Sequence, residues 1–420
     1  MHNLFDGFSK LSFDQRLEKL AEVSKISKEE LLGLSQDTQT LSIEVAENLI
    51  ENVIGTFSLP LGVATNFLID GKLVPIPMVV EETSIIAAAS ASAKWVYKNG
   101  GFQTRALGRL MIGQVQFPSI KNVEAFEKII QEHSQDVLSL ANNTVSSLVK
   151  RGGGVTGFEV RKIERPDGQG VMAVLHIFCD PCDAMGANLV NQICETLKPS
   201  LEEWTQERVG LCILSNLVDT KIVEATCEIE TNESLGKAIE EATLFANLDS
   251  YRAATHNKGV MNGIDPILIA TGNDWRAVEA GVHAYAARSG KYQSITEWKY
   301  ENGKLRGKIS APIAVGTVGG MTKLHPSAKT CLKMMGIEHS DQLARICAAV
   351  ALAQNLGALK ALCTEGIIRG HMQLHASNLA LAAGAKTDEL EALRDQLKKE
   401  KLITFSKAQS LLKELRASRV

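Results

Sequence analysis

Apolar residues recur along this chain in two rhythms, and the change between them divides it. Near the N-terminus Arg16, Leu17, Leu20, Val23 and Ile26 return at helical spacing, and SKEELLGL opens on Ser27 as an N-cap. A second helix is predicted through SIEVAENLIENVIG, stopped by Gly55. The middle alternates instead. IGQVQF (112–117) reads as a strand ended by Pro118, and a long helical stretch follows from Asn122 to about Arg151. GFEVRKIE (157–164) and GVMAVLHIF (170–178) read as two strands joined by the turn PDGQG. ANLVNQICETL (187–197) is a helix with Leu189, Ile193 and Leu197 on one face and Pro199 after it, and GLCILS (210–215) is another strand. Strand, helix, strand, strand, helix, strand is the split βαβ, ferredoxin-like order. It predicts an α+β protein in which a small domain at residues 108–219 is inserted into a larger, mainly helical one.

The larger unit resumes near residue 220. NDWRAVEAGVHAYAARSG predicts a helix from Asp274 to near Gly290, and SDQLARICAAVALAQNLGALKAL a long buried helix with Ser340 as N-cap. From Thr387 onward, Leu390, Leu393, Leu397, Leu411, Leu412 and Leu415 predict a small helical unit, joined through LAAGA, whose glycine can hinge.

The 420 residues suffice for two or three domains, and 45% apolar with 22% charged is ordinary for a globular chain. A net charge of -3 without a basic stripe argues against a nucleic-acid partner. No uninterrupted apolar run approaches the ~18 residues of a membrane span. MHNLFDGFSK lacks the basic-then-apolar order of a signal peptide, so a cytoplasmic protein is expected. The eight cysteines sit mostly in apolar runs and read as buried free thiols, and CDPC (179–182) has no second pair to make a zinc site.

Four segments carry candidate chemistry. DAMGAN (183–188) lies between a strand and a helix; its small Gly186 and Ala187 would let a pyrophosphate approach free N–H groups, though such a turn also serves plain packing. It is not the GxGxxG fingerprint. The stretch 251–281 sets Arg252, His256, Lys258, Asn262, Asp265, Asp274 and Arg276 among glycines and apolar residues, consistent with a functional lysine held by a carboxylate or with a structural Lys–Asp pair. In VPIPMVVEETSIIAAASASA (74–93), Glu81 and Glu82 interrupt an apolar run, as an acid of raised pKa in an apolar site or as an exposed pair. In TEGIIRGHMQLH (364–375), His371 and His375 share a helix face, but the glutamate of HExxH and a third ligand are missing, so no metal is expected.

Taken in order, ENVIG (51–55), EETSIIAAAS (81–90), DAMGAN, SNLVD (215–219), YRAATHNKG (251–259), GNDWRAVEAG (272–281) and GHM (370–372) resemble the signatures of hydroxymethylglutaryl-coenzyme A (HMG-CoA) reductase, over nearly the whole chain. The forms EETSI and THNKG are similar to the soluble bacterial class, class II. The resemblance implies a homodimer, or a larger dimer-based assembly, with active sites at the subunit interface and ENVIG near it. It implies a large HMG-CoA-binding domain (1–107 and 220–373), a non-Rossmann dinucleotide-binding domain (108–219) and a C-terminal helical flap (374–420). The implied reaction takes HMG-CoA to mevalonate and CoA with two hydrides from NADPH or NADH, through hemithioacetal and aldehyde. By resemblance Lys258 stabilises the oxyanion, Asp274 hydrogen-bonds and tunes that lysine, Glu82 donates a proton to the aldehyde, and His371 protonates the CoA thiolate. Arg252 faces the HMG carboxylate; Ser84, Asn216 and Asn262 contact HMG; Asp183, Met185, Gly186, Ala187 and Asn188 contact the cofactor.

Departures matter too. NADH-preferring members carry an acid where this chain has Thr156 and Gly157, with Lys150 and Arg151 upstream, so NADPH is favoured. Thr83 replaces a frequent proline, and Ser377 a common arginine that bears on flap contacts. Three other readings remain: the same enzyme running oxidatively in mevalonate catabolism, a non-catalytic CoA- or nucleotide-binding protein, and a metal-dependent hydrolase using His371 and His375.

Overall fold

The computed structural model describes residues 3–24, 26–35, 41–364, 366, 376–400 and 403–417. It is mixed α and β, with three antiparallel sheets. β1 (Leu61–Ile69) and β2 (Lys72–Val79) form a two-stranded ribbon. β3 (Gln103–Ala106), β8 (Ile222–Glu230), β10 (Lys304–Pro312) and β9 (Thr296–Glu301) form a second sheet in that spatial order. The third contains β4 (Met111–Ile120), β5 (Gly154–Glu164), β6 (Val171–Asp180) and β7 (Cys212–Ser215), ordered β5-β6-β4-β7. Within the predicted insert the first strand is thus central, between the third and the fourth. The chain leaves the second sheet after β3 and rejoins it at β8, so β4 to β7 and the helices between them are one excursion.

The largest core joins the first two sheets to the Ile85–Tyr97, Ser250–Ala270 and Ser340–Cys363 helices. The last two pack so closely that a Cβ on Gly263 would lie 2.9 Å from the Cα of Ala351. The Ser340–Cys363 helix is long and apolar enough by composition to cross a membrane, but 67% of its most apolar window is buried in the fold, as suits a core helix. A second core lies under the β5-β6-β4-β7 sheet, against the Ala187–Thr205 helix. A third belongs to the C-terminal helices, where Leu393 and Leu397 of Thr387–Leu397 meet Leu411 and Leu412 of Phe405–Ala417.

Several boundaries differ from the sequence reading. Ser27 caps as expected, its hydroxyl accepting from the Glu30 N–H at 3.1 Å. The helix predicted to Gly55 stops after Ile43–Glu47, and 53–60 carry no regular structure, with Ile54 and Phe57 fully or nearly exposed. An apolar helical face needs a partner, and among the described residues Ile54 and Phe57 have none that buries them. The long 122–151 helix is three: Val123–Glu132, Ser134–Thr144 and Ser146–Val149. Its first break is at His133, whose ring stacks on Trp204 with centroids 4.3 Å apart. β4 runs past Pro118 because the register shifts between Phe117 and Ile120, leaving the proline at a bulge that asks for no N–H. The Ala187–Thr205 helix passes through Pro199, with Leu197 and Leu201 buried on either side. Ser340 is not an N-cap but the first helical residue, for a reason given by the site.

Candidate active site

β2 ends at Val79, and the turn 81–84 reverses the chain into the Ile85–Tyr97 helix. The reversal puts Ser84 at φ 78°, left-handed and costly for a residue with a Cβ, by about 1–3 kcal/mol. The turn presents Glu82 to the Ser250–Ala270 helix, where the Lys258 ammonium donates to the Glu82 carboxylate at 3.1 Å. Neither side chain is buried, at 42% exposed for Glu82 and 62% for Lys258. Of the two readings the sequence left open for this glutamate, an acid in an apolar site or an exposed residue at a turn, Glu82 is the partly exposed one, ion-paired with Lys258 in the lining of a cleft.

That cleft, about 290 Å³, is lined by Glu82, Ser84, Arg252, Lys258 and Asn262, five of the residues singled out by sequence. Lys258 and Asn262, four residues apart, share a helix face, while Arg252, six residues before Lys258, lies about 120° round the helix and completes the lining together with Thr255, His256 and Gly259. Burial pulls the Arg252 guanidinium below its ordinary pKa, which leaves it a cation in any accessible pH range. The floor adds Asn355, which the sequence reading did not single out, beside His256, which it did. Asn355 accepts from the Trp298 indole at 2.8 Å and the Thr296 hydroxyl at 3.0 Å, and its amide meets the His256 Nε2 at 3.0 Å. Burial, helped by Arg252, pushes His256 down to about 3, so it is a neutral structural ring.

Asp274 and Asn216 are not among the residues lining that cleft. Asp274 is the N-cap of the Trp275–Ala286 helix, accepting from the Ala277 N–H at 3.1 Å, and Arg276 lies 3.5 Å away. The hydrogen bond expected between Asp274 and Lys258 is not formed within this chain among the described residues. Asn216 is exposed, and its carbonyl lies where a Cβ on Gly281 of the Asp274 helix would come within 2.5 Å.

The DAMGAN segment meets the same region. Gly186, at φ 102°, ends the turn before the Ala187–Thr205 helix, and no side chain caps that N-terminus. Left-handed glycine and an uncapped first turn leave N–H groups available for an anion. Ala187 and Asn188 begin the helix, with Asn188 exposed. Met185 is half-buried; its N would lie 2.5 Å from a Cβ on Gly316, whose own N–H donates to Asn273 at 2.8 Å, next to Asp274. Asp183 faces elsewhere. Its carboxylate accepts from the Ser340 N–H at 2.8 Å and from the His339 ring at 3.2 Å. It therefore caps the Ser340–Cys363 helix from 157 residues away, which displaces Ser340 from the cap. Burial raises the Asp183 pKa, but those two contacts outweigh it and hold the carboxyl below its ordinary value.

His371 and His375 lie outside the described residues. Among the described residues no cluster of three or more His, Cys, Asp or Glu could hold a metal, and all eight cysteines are free.

Residues 12–376 match the model of the family hydroxymethylglutaryl-coenzyme A reductase. The 3-hydroxy-3-methylglutaryl-coenzyme A reductase of Archaeoglobus fulgidus is 44% identical, over 99% of this chain and 96% of that protein. The structure is similar to that of 3-hydroxy-3-methylglutaryl-coenzyme A reductase from Streptococcus pneumoniae, with TM-score 0.83 and 40% identity over 98% of this chain and 99% of that one. It is also similar to a structure of the class II enzyme of that organism bound to NADPH in open conformations, with TM-score 0.81 and 40% identity over 97% of this chain and all of the other. With a family match over most of its length, and a 44% identical relative aligned nearly end to end, the chain belongs to the hydroxymethylglutaryl-coenzyme A reductase family.

Proposed function

We infer that the chain reduces HMG-CoA to mevalonate and CoA, consuming two NAD(P)H and two protons. The observation that carries this is the Glu82–Lys258 pair at 3.1 Å in a cleft that also holds Arg252, Ser84 and Asn262. A fixed cation beside a carboxyl group, with a guanidinium fork at one side, suits a substrate with a carboxylate at one end and a carbonyl that becomes an oxyanion. Arg252 takes the HMG carboxylate, and Ser84 and Asn262 orient its hydroxyl and chain, with Asn216, which does not line this cleft within one chain, reaching the substrate only in the dimer proposed below. Lys258 stabilises negative charge on the thioester oxygen and then on the aldehyde oxygen. Glu82, protonated from solvent, hands that proton to the aldehyde oxygen and takes up another before the next turnover. His371 protonates the departing CoA thiolate.

NAD(P)H, when bound, supplies the hydrides. The uncapped helix behind Gly186 fits its pyrophosphate, with Met185, Gly186, Ala187 and Asn188 as contacts. Asp183 serves that site by tying its turn to the Ser340 helix. We place the substrate domain at 1–107 and 220–373, the ferredoxin-like cofactor domain at 108–219 and the flap at 374–420. The β5-β6-β4-β7 sheet with its own core supports the middle unit.

Thr156 and Gly157 put no carboxylate where a ribose 2′-hydroxyl would be held, and NADPH is the expected cofactor. Cofactor oxidation at 340 nm with HMG-CoA should run at least about tenfold more efficiently with NADPH, the equivalent of 1.4 kcal/mol. A preference for NADH sinks the cofactor assignment, and oxidation of neither sinks the reductase.

The working unit is a homodimer whose sites lie between subunits. Ile54, Phe57 and Tyr251, each about nine-tenths exposed or more, are the apolar surface that would be covered. A second subunit also explains why Asp274 does not reach Lys258 within one chain. Light scattering should give twice the 45.5 kDa chain mass or a larger even multiple; a monomer with full activity would refute the shared site.

A further inference from the structure

Behind the Asp183 turn lies a second cavity, of about 610 Å³, lined by Arg109, Arg151, Asp183, Lys221, His339 and Ser340 among others. It is reachable from solvent, since Arg109 is 69% and His339 62% exposed at the side chain. Its carboxylates are already engaged. Asp183 is held by Ser340 and His339, Asp341 by Arg345 at 3.2 Å, and neighbouring Asp180 by Arg109 at 2.6 Å. Lys221 is different: it is 6% exposed, and its ammonium has no hydrogen-bond partner among the described residues. Arg151 spends one donor on the Ser147 carbonyl at 3.2 Å and keeps the rest of its fork.

A buried ammonium without an acceptor destabilises the fold unless something fills its place. Burial pushes Lys221 down to about 8 despite the attraction of Asp180. Methionine there would fill the same volume without the cost. We propose that this cavity binds a phosphomonoester dianion between Lys221 and Arg151. Three acceptor oxygens match a point-charge ammonium and a planar guanidinium fork, and the volume admits a sugar beside the phosphate. The phosphate is either free or the 2′-phosphate of the NADPH proposed above. The second source rests on that cofactor reading and the first does not.

The full-length protein tests it in phosphate-free buffer at constant ionic strength. Melting is followed against added sodium phosphate, and NADPH and NADH binding by cofactor fluorescence, for wild type, Lys221→Met and Arg151→Gln. Lys221→Met is expected to melt at or above the wild-type temperature without ligand and to bind the phosphate-bearing ligand about tenfold or more weakly. Arg151→Gln, altered at the cavity mouth, should weaken binding in the same direction if the first variant fails to fold. Loss confined to NADPH, with NADH unchanged, supports the proposal with the cofactor as source. Loss of phosphate-induced stabilisation, with both dinucleotides unchanged, supports it with free phosphate as source. Unchanged binding in folded variants, equal loss for NADPH and NADH, or a wild type stabilised by neither phosphate nor NADPH would overturn it. None of these readings uses HMG-CoA turnover, so a failed reductase assignment remains a separate result.

Discussion

Replacing Lys258 by alanine should lower kcat for HMG-CoA reduction by about 10²–10³-fold, the usual cost of removing one preorganised donor from a developing oxyanion. The cleft explains why so much of the chemistry rests on one side chain. Its other cation, Arg252, is six residues back on the same helix and is assigned to the far end of the substrate. Among the described residues no second ammonium lines the cleft to take over. The fold should hardly notice. Lys258 is 62% exposed and its pair with Glu82 is a surface pair, worth about 0–1 kcal/mol. An unchanged melting temperature with collapsed kcat is therefore the expected signature. Arginine should not restore the rate, because its fork cannot occupy the position of a compact ammonium 3.1 Å from Glu82. A Lys258→Ala protein that turns over HMG-CoA at the wild-type rate would remove the lysine from the mechanism.

Asn355→Ala should do the reverse, with a fall in stability of about 3–5 kcal/mol that denaturant titration can measure. One amide satisfies the Trp298 indole, the Thr296 hydroxyl and the His256 ring, all buried. Alanine leaves the indole N–H without an acceptor and opens space beside it, and each orphaned buried group costs about 1–3 kcal/mol. Because Asn355 and His256 also floor the cleft, the KM for HMG-CoA should rise in whatever protein still folds. A loss under about 1 kcal/mol would mean that water or a neighbour replaces the amide, and that the network is not the rigid support it resembles.

What the sequence made legible was mostly local. Ser27 caps its own helix, Asp274 its own, and Lys258 and Asn262, one turn apart, reach one cleft through helical spacing. Long-range determinants were not legible. Nothing near Ser340 announces that its N–H is taken by Asp183, and nothing in SNLVDTK marks Lys221 as buried. The unbroken helical pattern of 122–151 could not show that His133 stacks on Trp204, some 70 residues on. Motif order brought in Asn216 and DAMGAN, but the role of Asp183 as a cap came only from the three-dimensional arrangement.

The place where the chain leaves and rejoins the second sheet has a consequence for assembly. Ala106 of β3 pairs with Val223 of β8, the Leu107 N–H donates to the Ile222 carbonyl at 2.8 Å, and the Leu110 N–H to the Thr220 carbonyl at 3.4 Å. The two crossings are therefore zipped together as in a hairpin, with more than a hundred residues where a turn would be. An unstructured chain of that length would pay a loop-closure entropy growing as about (3/2)RT ln n. An excursion that has already folded on its own core brings its two ends together and removes most of that cost. If the excursion folds first, β3 and β8 become sequence neighbours in kinetic terms, and the long range of their pairing would put little burden on the folding rate.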